Sequence, residues 1–318
     1  MSKKKKQKLS RHISPVIITA FIITPLIFIF MPWVHETAPV VVKQPVTKKI
    51  EFNLPPFAPL PVSSNQPIPQ TSARSIFIMD RNSKSVLYSR NADVRVYPAS
   101  TTKMMTALIV LENFSLDQVI TVTKAYPIGE NVGFQPGEQI TVEQLLYAML
   151  VQSGNDAAEI FAENYPGGRV EFVAAMNRKA AEIHLDNTHF ANPTGIDEVG
   201  HYSTAVDLAR LGDYALRNAE FTKIVGTQSA VVSSVDYSVS HVLNNINELI
   251  GNVAGVTGIK TGYTEGAGQS LVTLVERNNH PVIIVVLGSQ DRFGDSRKLI
   301  EWVYDNFIWT VLTPDNQP

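Results

Sequence analysis

Three short groups of residues in this 318-residue sequence carry side chains that could do covalent chemistry together. The first is Ser100 with Lys103, inside "YPASTTKMMTALIVLENF" (97–114). On a helix, residues three apart share a face, so the hydroxyl and the amine can touch. A serine hydroxyl is a weak nucleophile near neutral pH and needs an adjacent base. A lysine is that base only if its pKa falls well below ~10.4, through burial and nearby positive charge. The first turn of a helix adds a positive dipole end, which disfavours the ammonium and favours a developing alkoxide. The second group, Ser153-Gly154-Asn155, falls about 50 residues later in a break between two helical stretches. The third, Lys260-Thr261-Gly262, sits in a strand-like run. Singly, each has a plain reading: a helix start with a snorkelling lysine, a polar turn, and a strand-end charge with a turn glycine.

The elements that must position these groups are legible as patterns. "SIFIMD", "RNSK", "SVLYSR" reads as strand, turn, strand from Ser75. From Pro98 to about Phe114, Met104, Ala107, Leu108 and Leu111 recur at helical spacing and give one buried face. "TVEQLLYAMLVQ" (141–152) is a second helix, and Asp156 with Glu159 suggests a capping box opening a third. Helical stretches follow near 169–184 and 203–217. "GIKTGY", "QSLVTLV" and "PVIIVVLG" are strands, the last two joined by the turn "ERNNH". A closing helix, "DSRKLIEWVYDNF", aligns Leu299, Val303 and Phe307. Strands from both ends around a helical middle predict an α+β domain.

The N-terminus has a different character. "MSKKKKQKLSRH" (1–12) is basic, and residues 13–34 form an uncharged, apolar run of 22. At 1.5 Å per residue this run covers a ~30 Å hydrocarbon layer. The expectation is a single-pass anchor, with the lysines cytoplasmic and Trp33 at the far interface. A cleaved signal peptide is the rival, but "VHETAP" lacks a small-x-small site. Residues 35–72 hold eight prolines and read as an extended linker reaching at most roughly 100 Å. Hydrophobic content of 44 %, charged content of 18 % and a net charge of −2 describe a globular body without a nucleic-acid footprint. There is no cysteine, and the seven histidines show no metal-ligand spacing.

The order S-x-x-K, S-x-N, K-T-G is the active-site signature of penicillin-binding proteins and serine β-lactamases. Around it, "YPASTTKMMTALIVLE", "LLYAMLVQSGNDAAEIFAE", "FVAAMNRKAAEIHLDNTHFANPTGID" and "GIKTGYTEGAGQSLV" resemble the low-molecular-mass D-alanyl-D-alanine carboxypeptidases. The resemblance covers about residues 73–307. It implies a β-lactamase/penicillin-binding-protein transpeptidase-like domain over 73–310, an antiparallel sheet flanked by helices with a helical subdomain, and a tail at 311–318. It also implies that Ser100 attacks the last amide of a peptidoglycan stem peptide to form an acyl-enzyme, while Lys103 accepts its proton. Ser153 would relay a proton to the leaving amine, and Asn155 would hold Lys103 and the substrate. Lys260 and Thr261 would receive the terminal carboxylate. Gly262 would let the substrate backbone lie close, and the N–H groups of Ser100 and Tyr263 would form the oxyanion hole. No cofactor or metal is implied, and β-lactams are the expected covalent inhibitors.

Three alternatives stand beside this reading. A class A β-lactamase would carry S-D-N and a deacylating glutamate, neither of which stands out here. A D,D-endopeptidase would use the same residues on cross-linked peptides. A non-catalytic wall-binding module would have no need of the intact serines and lysines. His184, Asp186 and His189 read as a helix end and turn beside the cleft, not as a triad, and Trp302 and Trp309 read as packing residues. Relatives often carry a further C-terminal β-rich domain and amphipathic helix, so ending at Pro318 leads us to expect attachment through the N-terminus.

Overall fold

The unbroken apolar run 281–287 lies in the middle of the main sheet. The structure is a computed structural model that describes residues 58–127 and 129–311. Its N-terminal half contains β1 (Leu60–Ser63), β2 (Ser75–Asp80), β3 (Val86–Arg90), a 3-10 turn (Ala99–Thr102), α1 (Lys103–Asn113), β4 (Val119–Thr121), β5 (Gln139–Thr141), α2 (Val142–Leu150) and α3 (Asn155–Asn164). There follow α4 (Gly168–Glu182), α5 (Ala205–Ala215), α6 (Ala219–Val225), β6 (Ser229–Ser233), β7 (Ser240–Asn244), β8 (Val256–Thr264), β9 (Gly268–Arg277), β10 (His280–Ser289), α7 (Arg292–Asn306) and β11 (Phe307–Thr310).

The main sheet is antiparallel with order β3-β2-β10-β9-β8, so it draws on both ends of the chain as the sequence pattern predicts. Side chains alternate faces along a strand. On β10, Ile283, Val285 and Leu287 join the core shared with Met104, Leu108 and Leu208, while Val282, Ile284 and Val286 join the core under Leu299, Ile300 and Val303 of α7. Both faces are covered by helices, which is why the strand is apolar throughout instead of alternating. Asn278 and Asn279, both at positive φ, make the two-residue turn between β9 and β10. The second layer holds α2, α3 and α4 around Phe161 and Phe172.

Several boundaries differ from the sequence reading. Asp156 does not cap α3: Gly154 occupies the N-cap, and the Asp156 carboxylate accepts from the backbone N–H groups of Val132, Gly133 and Phe134. Phe307 is not in the last helix but begins β11, although it packs into the same core. The expected linker does not run free to residue 72. Strand β1 pairs with β11, Asn306 Oδ1 accepts from Gln66 N at 2.7 Å, and Ser72 donates to Asp295 at 2.7 Å. The basic tail, the proposed anchor at 13–34, most of the linker and nearly all of the tail from 311 lie outside the described residues. Among the described residues, no helix is long and apolar enough to cross a membrane.

Candidate active site

Ser100 sits in the 3-10 turn that leads into α1, just after Ala99 at φ 50°. The turn is fixed from two sides. A Cβ on Gly195, itself at φ +94°, would overlap the Ala99 carbonyl oxygen, and a Cβ on Gly262 would fall 3.1 Å from Ser100 N. Glycine at both positions lets one loop and strand β8 close on the backbone of Ser100.

Lys103, the first residue of α1, is fully buried. Its Nζ lies 2.9 Å from Ser100 Oγ, 2.6 Å from Asn155 Oδ1 and 2.8 Å from the Thr194 carbonyl. Burial lowers its pKa to about 7, against the pull of the Asp156, Glu130 and Glu159 carboxylates. The sequence suggests that a neighbouring positive charge helps to lower this pKa. In the folded protein desolvation does the lowering, and the charges that act most strongly on the amine are carboxylates, which oppose it. Asn155 opens α3 and is itself buried.

Lys260 lies on β8, also buried, with Nζ 2.9 Å from Ser153 Oγ and 3.1 Å from the Thr261 carbonyl. Burial, then the charges of Lys103 and Arg292, hold its amine well below the usual lysine range. Ser153 takes a left-handed conformation at φ 65° in the break between α2 and α3. Ser100, Ser153, Thr261, Gly262 and Tyr263 line one cleft of about 660 Å³. Lys103, Asn155 and Lys260 stand behind that lining and reach it through the hydrogen bonds given above.

Other residues at the cleft carried no signal in the sequence. The Thr194 carbonyl, third acceptor of the Lys103 amine, is a backbone group and invisible to residue-type reasoning. Arg292, in the first turn of α7, lines the cleft and donates through Nη1 to the Gly262 carbonyl at 2.9 Å, and its Nε has no hydrogen-bond partner among the described residues. Glu130 also lines the cleft. None of His184, Asp186 and His189 does; His189 Nδ1–H donates to the Gly200 carbonyl instead. Trp302 packs edge-on against Tyr88, and Trp309 stacks on His280.

A five-stranded antiparallel sheet with helices on both faces, a serine beside a buried lysine, and a second serine held by a lysine of the sheet's edge strand together mark the fold of the DD-peptidases. The crystal structure of a Streptomyces DD-transpeptidase matches with a TM-score of 0.71 at 32 % identity, covering 76 % of this chain and all of that one. The family model for D-alanyl-D-alanine carboxypeptidases, peptidase S11, matches residues 61–291, and the chain belongs to that family. D-alanyl-D-alanine carboxypeptidase DacF of Bacillus subtilis is 35 % identical over 255 residues, covering 77 % of this chain and 65 % of its own length. A D-alanyl-D-alanine endopeptidase of Pseudomonas aeruginosa is 34 % identical, covering 81 % of this chain and 84 % of its own. The chain thus spans about two thirds or slightly less, 65 % and 63 %, of the carboxypeptidases of Bacillus subtilis and Escherichia coli that it matches.

Proposed function

We propose that this protein is a serine-type D-Ala-D-Ala carboxypeptidase that removes the terminal D-alanine from peptidoglycan stem peptides. The observation that carries the reading is the buried Lys103 amine between three oxygens. A neutral amine has two N–H bonds and one lone pair. Asn155 Oδ1 and the Thr194 carbonyl can only accept, so they take the two N–H bonds. The lone pair is then left to face Ser100 Oγ, the only one of the three that can donate. Ser100 Oγ bonds to the carbonyl carbon of the scissile amide as its proton passes to Lys103. The C–N bond breaks, and the leaving amine takes a proton delivered by way of Ser153. Lys103, neutral once its proton has passed on, accepts a proton from the water that attacks the acyl carbon and returns it to Ser100 Oγ as the C–O bond breaks. The N–H groups of Ser100 and Tyr263 stabilise the oxyanion, a contribution of ~3 kcal/mol for each donor.

Thr261 and Lys260, with Arg292 beside them, suit a terminal carboxylate. An arriving anion raises the pKa of the Lys260 amine and restores its charge, which turns the contact into a charge-assisted one. Incubation with a pentapeptide ending in D-Ala-D-Ala is expected to release free D-alanine, and folded protein that releases none would refute the reading. The endopeptidase relative favours a second reading, cleavage of cross-linked peptides by the same residues. Hydrolysis of a dimeric muropeptide faster than release of D-alanine from the pentapeptide would select it.

The apolar run 13–34 supports attachment to the cytoplasmic membrane with the catalytic body outside, and β-lactams are expected to acylate Ser100. Retention of the full chain in the membrane fraction after alkaline carbonate washing tests the anchor; release into the supernatant would contradict it.

A further inference from the structure

Beyond the cleft, a second cavity of about 340 Å³ opens beside the turn that joins β8 to β9. Arg74 and Arg95 line it, together with Tyr97, His201, Tyr202 and Gly266, and no carboxylate among the described residues does. Neither arginine forms an ion pair with a described residue. Arg95 lies over the Tyr202 ring at 4.5 Å and gives one N–H to Asn187, which fixes its plane and leaves other donors free. Arg74 enters where β10 bulges: Gly288, at φ +63°, would bring a Cβ within 3.0 Å of Arg74 Cβ. The guanidinium of Arg74 makes no hydrogen bond to a described residue. His201 adds no charge. Its Nδ1 accepts from Ala191 N, so Nε2–H donates to Thr102 Oγ1, and burial holds its pKa down at about 4.

The two cavities share one wall. Thr264 and Glu265 face the cleft, and the next residue, Gly266, faces the arginines. Asp197 pins that turn by accepting from Thr264 Oγ1 at 2.6 Å and Gly266 N at 2.9 Å, which occupies both of its oxygens. Strand β8 ends the sheet, so its outer edge can take up an extended peptide. With a D-alanyl end held at Lys260 and Thr261, the body of that peptide runs toward Gly266. From Gly262 to the end of the strand at Thr264 the edge covers roughly 7 Å, or about two residues of extended chain, and the turn through Glu265 carries the wall on to Gly266.

We propose that the Arg74–Arg95 cavity binds a carboxylate of the peptide being cleaved, located three to four residues before the scissile bond. The inference rests on the peptidase reading for the direction of the chain, and it assigns these arginines the selection of acidic peptides. The test uses two synthetic peptides ending in D-Ala-D-Ala, one with a glutamyl residue at that upstream position and one with glutaminyl. Their binding to full-length Ser100→Ala protein is measured by calorimetry, with and without Arg74→Gln and Arg95→Gln. The acidic peptide should bind about tenfold more tightly, and the double substitution should abolish the preference. Arg74→Lys with Arg95→Lys should retain most of it. Equal affinity for the two peptides, or a preference that survives the glutamines, overturns the proposal. Wild-type protein that releases no D-alanine while the binding preference holds refutes the peptidase reading and leaves the site standing.

Discussion

Lys103 Nζ stands 2.9 Å from Ser100 Oγ, and its other two neighbours are oxygens without a hydrogen to give. Only the neutral amine can act as base, and burial brings its pKa to about 7. The acylation rate should therefore fall tenfold per pH unit below 7 and level off above it. Stopped-flow labelling with a fluorescent penicillin from pH 5 to 9 measures this. The same lowering means that the unfolded chain binds more protons between about 7 and 10.5, so this group makes the fold gain stability as pH rises across that window.

Asn155→Asp places a carboxylate 2.6 Å from the amine. An opposite charge at that distance favours the ammonium, so the pH profile should move about 1–2 units toward alkaline pH while the plateau is largely kept. An unmoved profile would show that Lys103 does not set the pH dependence.

Gly262→Ala would bring a methyl group within 3.0 Å of Ala99 Cβ and 3.1 Å of Ser100 N. Strand β8 and the 3-10 turn must then part by a few tenths of an ångström, which displaces Ser100 N, the proposed oxyanion donor. A loss of about 10²-fold in kcat with little change in Tm is expected. Steady-state kinetics together with a thermal melt check both halves of the expectation.

Chains starting at Ala58 and at Ala73 should differ in stability although both retain the cleft. The shorter one loses the β1–β11 pairing and leaves Asn306, 1 % exposed, without its partners at Ser64 and Gln66. A difference of roughly 2–4 kcal/mol is expected, read from urea unfolding. Equal midpoints and slopes would show that residues 60–72 contribute nothing to the fold.

What the sequence made legible follows from how each feature is encoded. Helix α1, the strands around 270–287 and the three short motifs announce themselves through periodicity and residue type. Long-range partners do not. Asn306 reads as an ordinary helix residue until the backbone of Gln66 is seen against it, and a proline-rich stretch conceals that 60–63 is a strand. Asp156 has the spacing of a cap, yet its carboxylate accepts from three backbone N–H groups of a distant loop and from only Ala157 N in its own helix. The Thr194 carbonyl and Arg292 were illegible for the same reason: one is backbone, and the other is an arginine without a motif, brought to the cleft only by packing.

The central claim is that Ser100 becomes covalently bonded and that Lys103 makes this possible. Intact-mass spectrometry after incubation with benzylpenicillin tests it most directly, across wild type, Ser100→Ala and Lys103→Arg. The account predicts one adduct on the wild type, mapped by digestion to the peptide containing Ser100, none on Ser100→Ala, and at least 10³-fold slower labelling of Lys103→Arg, whose side chain cannot deprotonate. An adduct that persists on Ser100→Ala, or Lys103→Arg labelling at the wild-type rate, would contradict it.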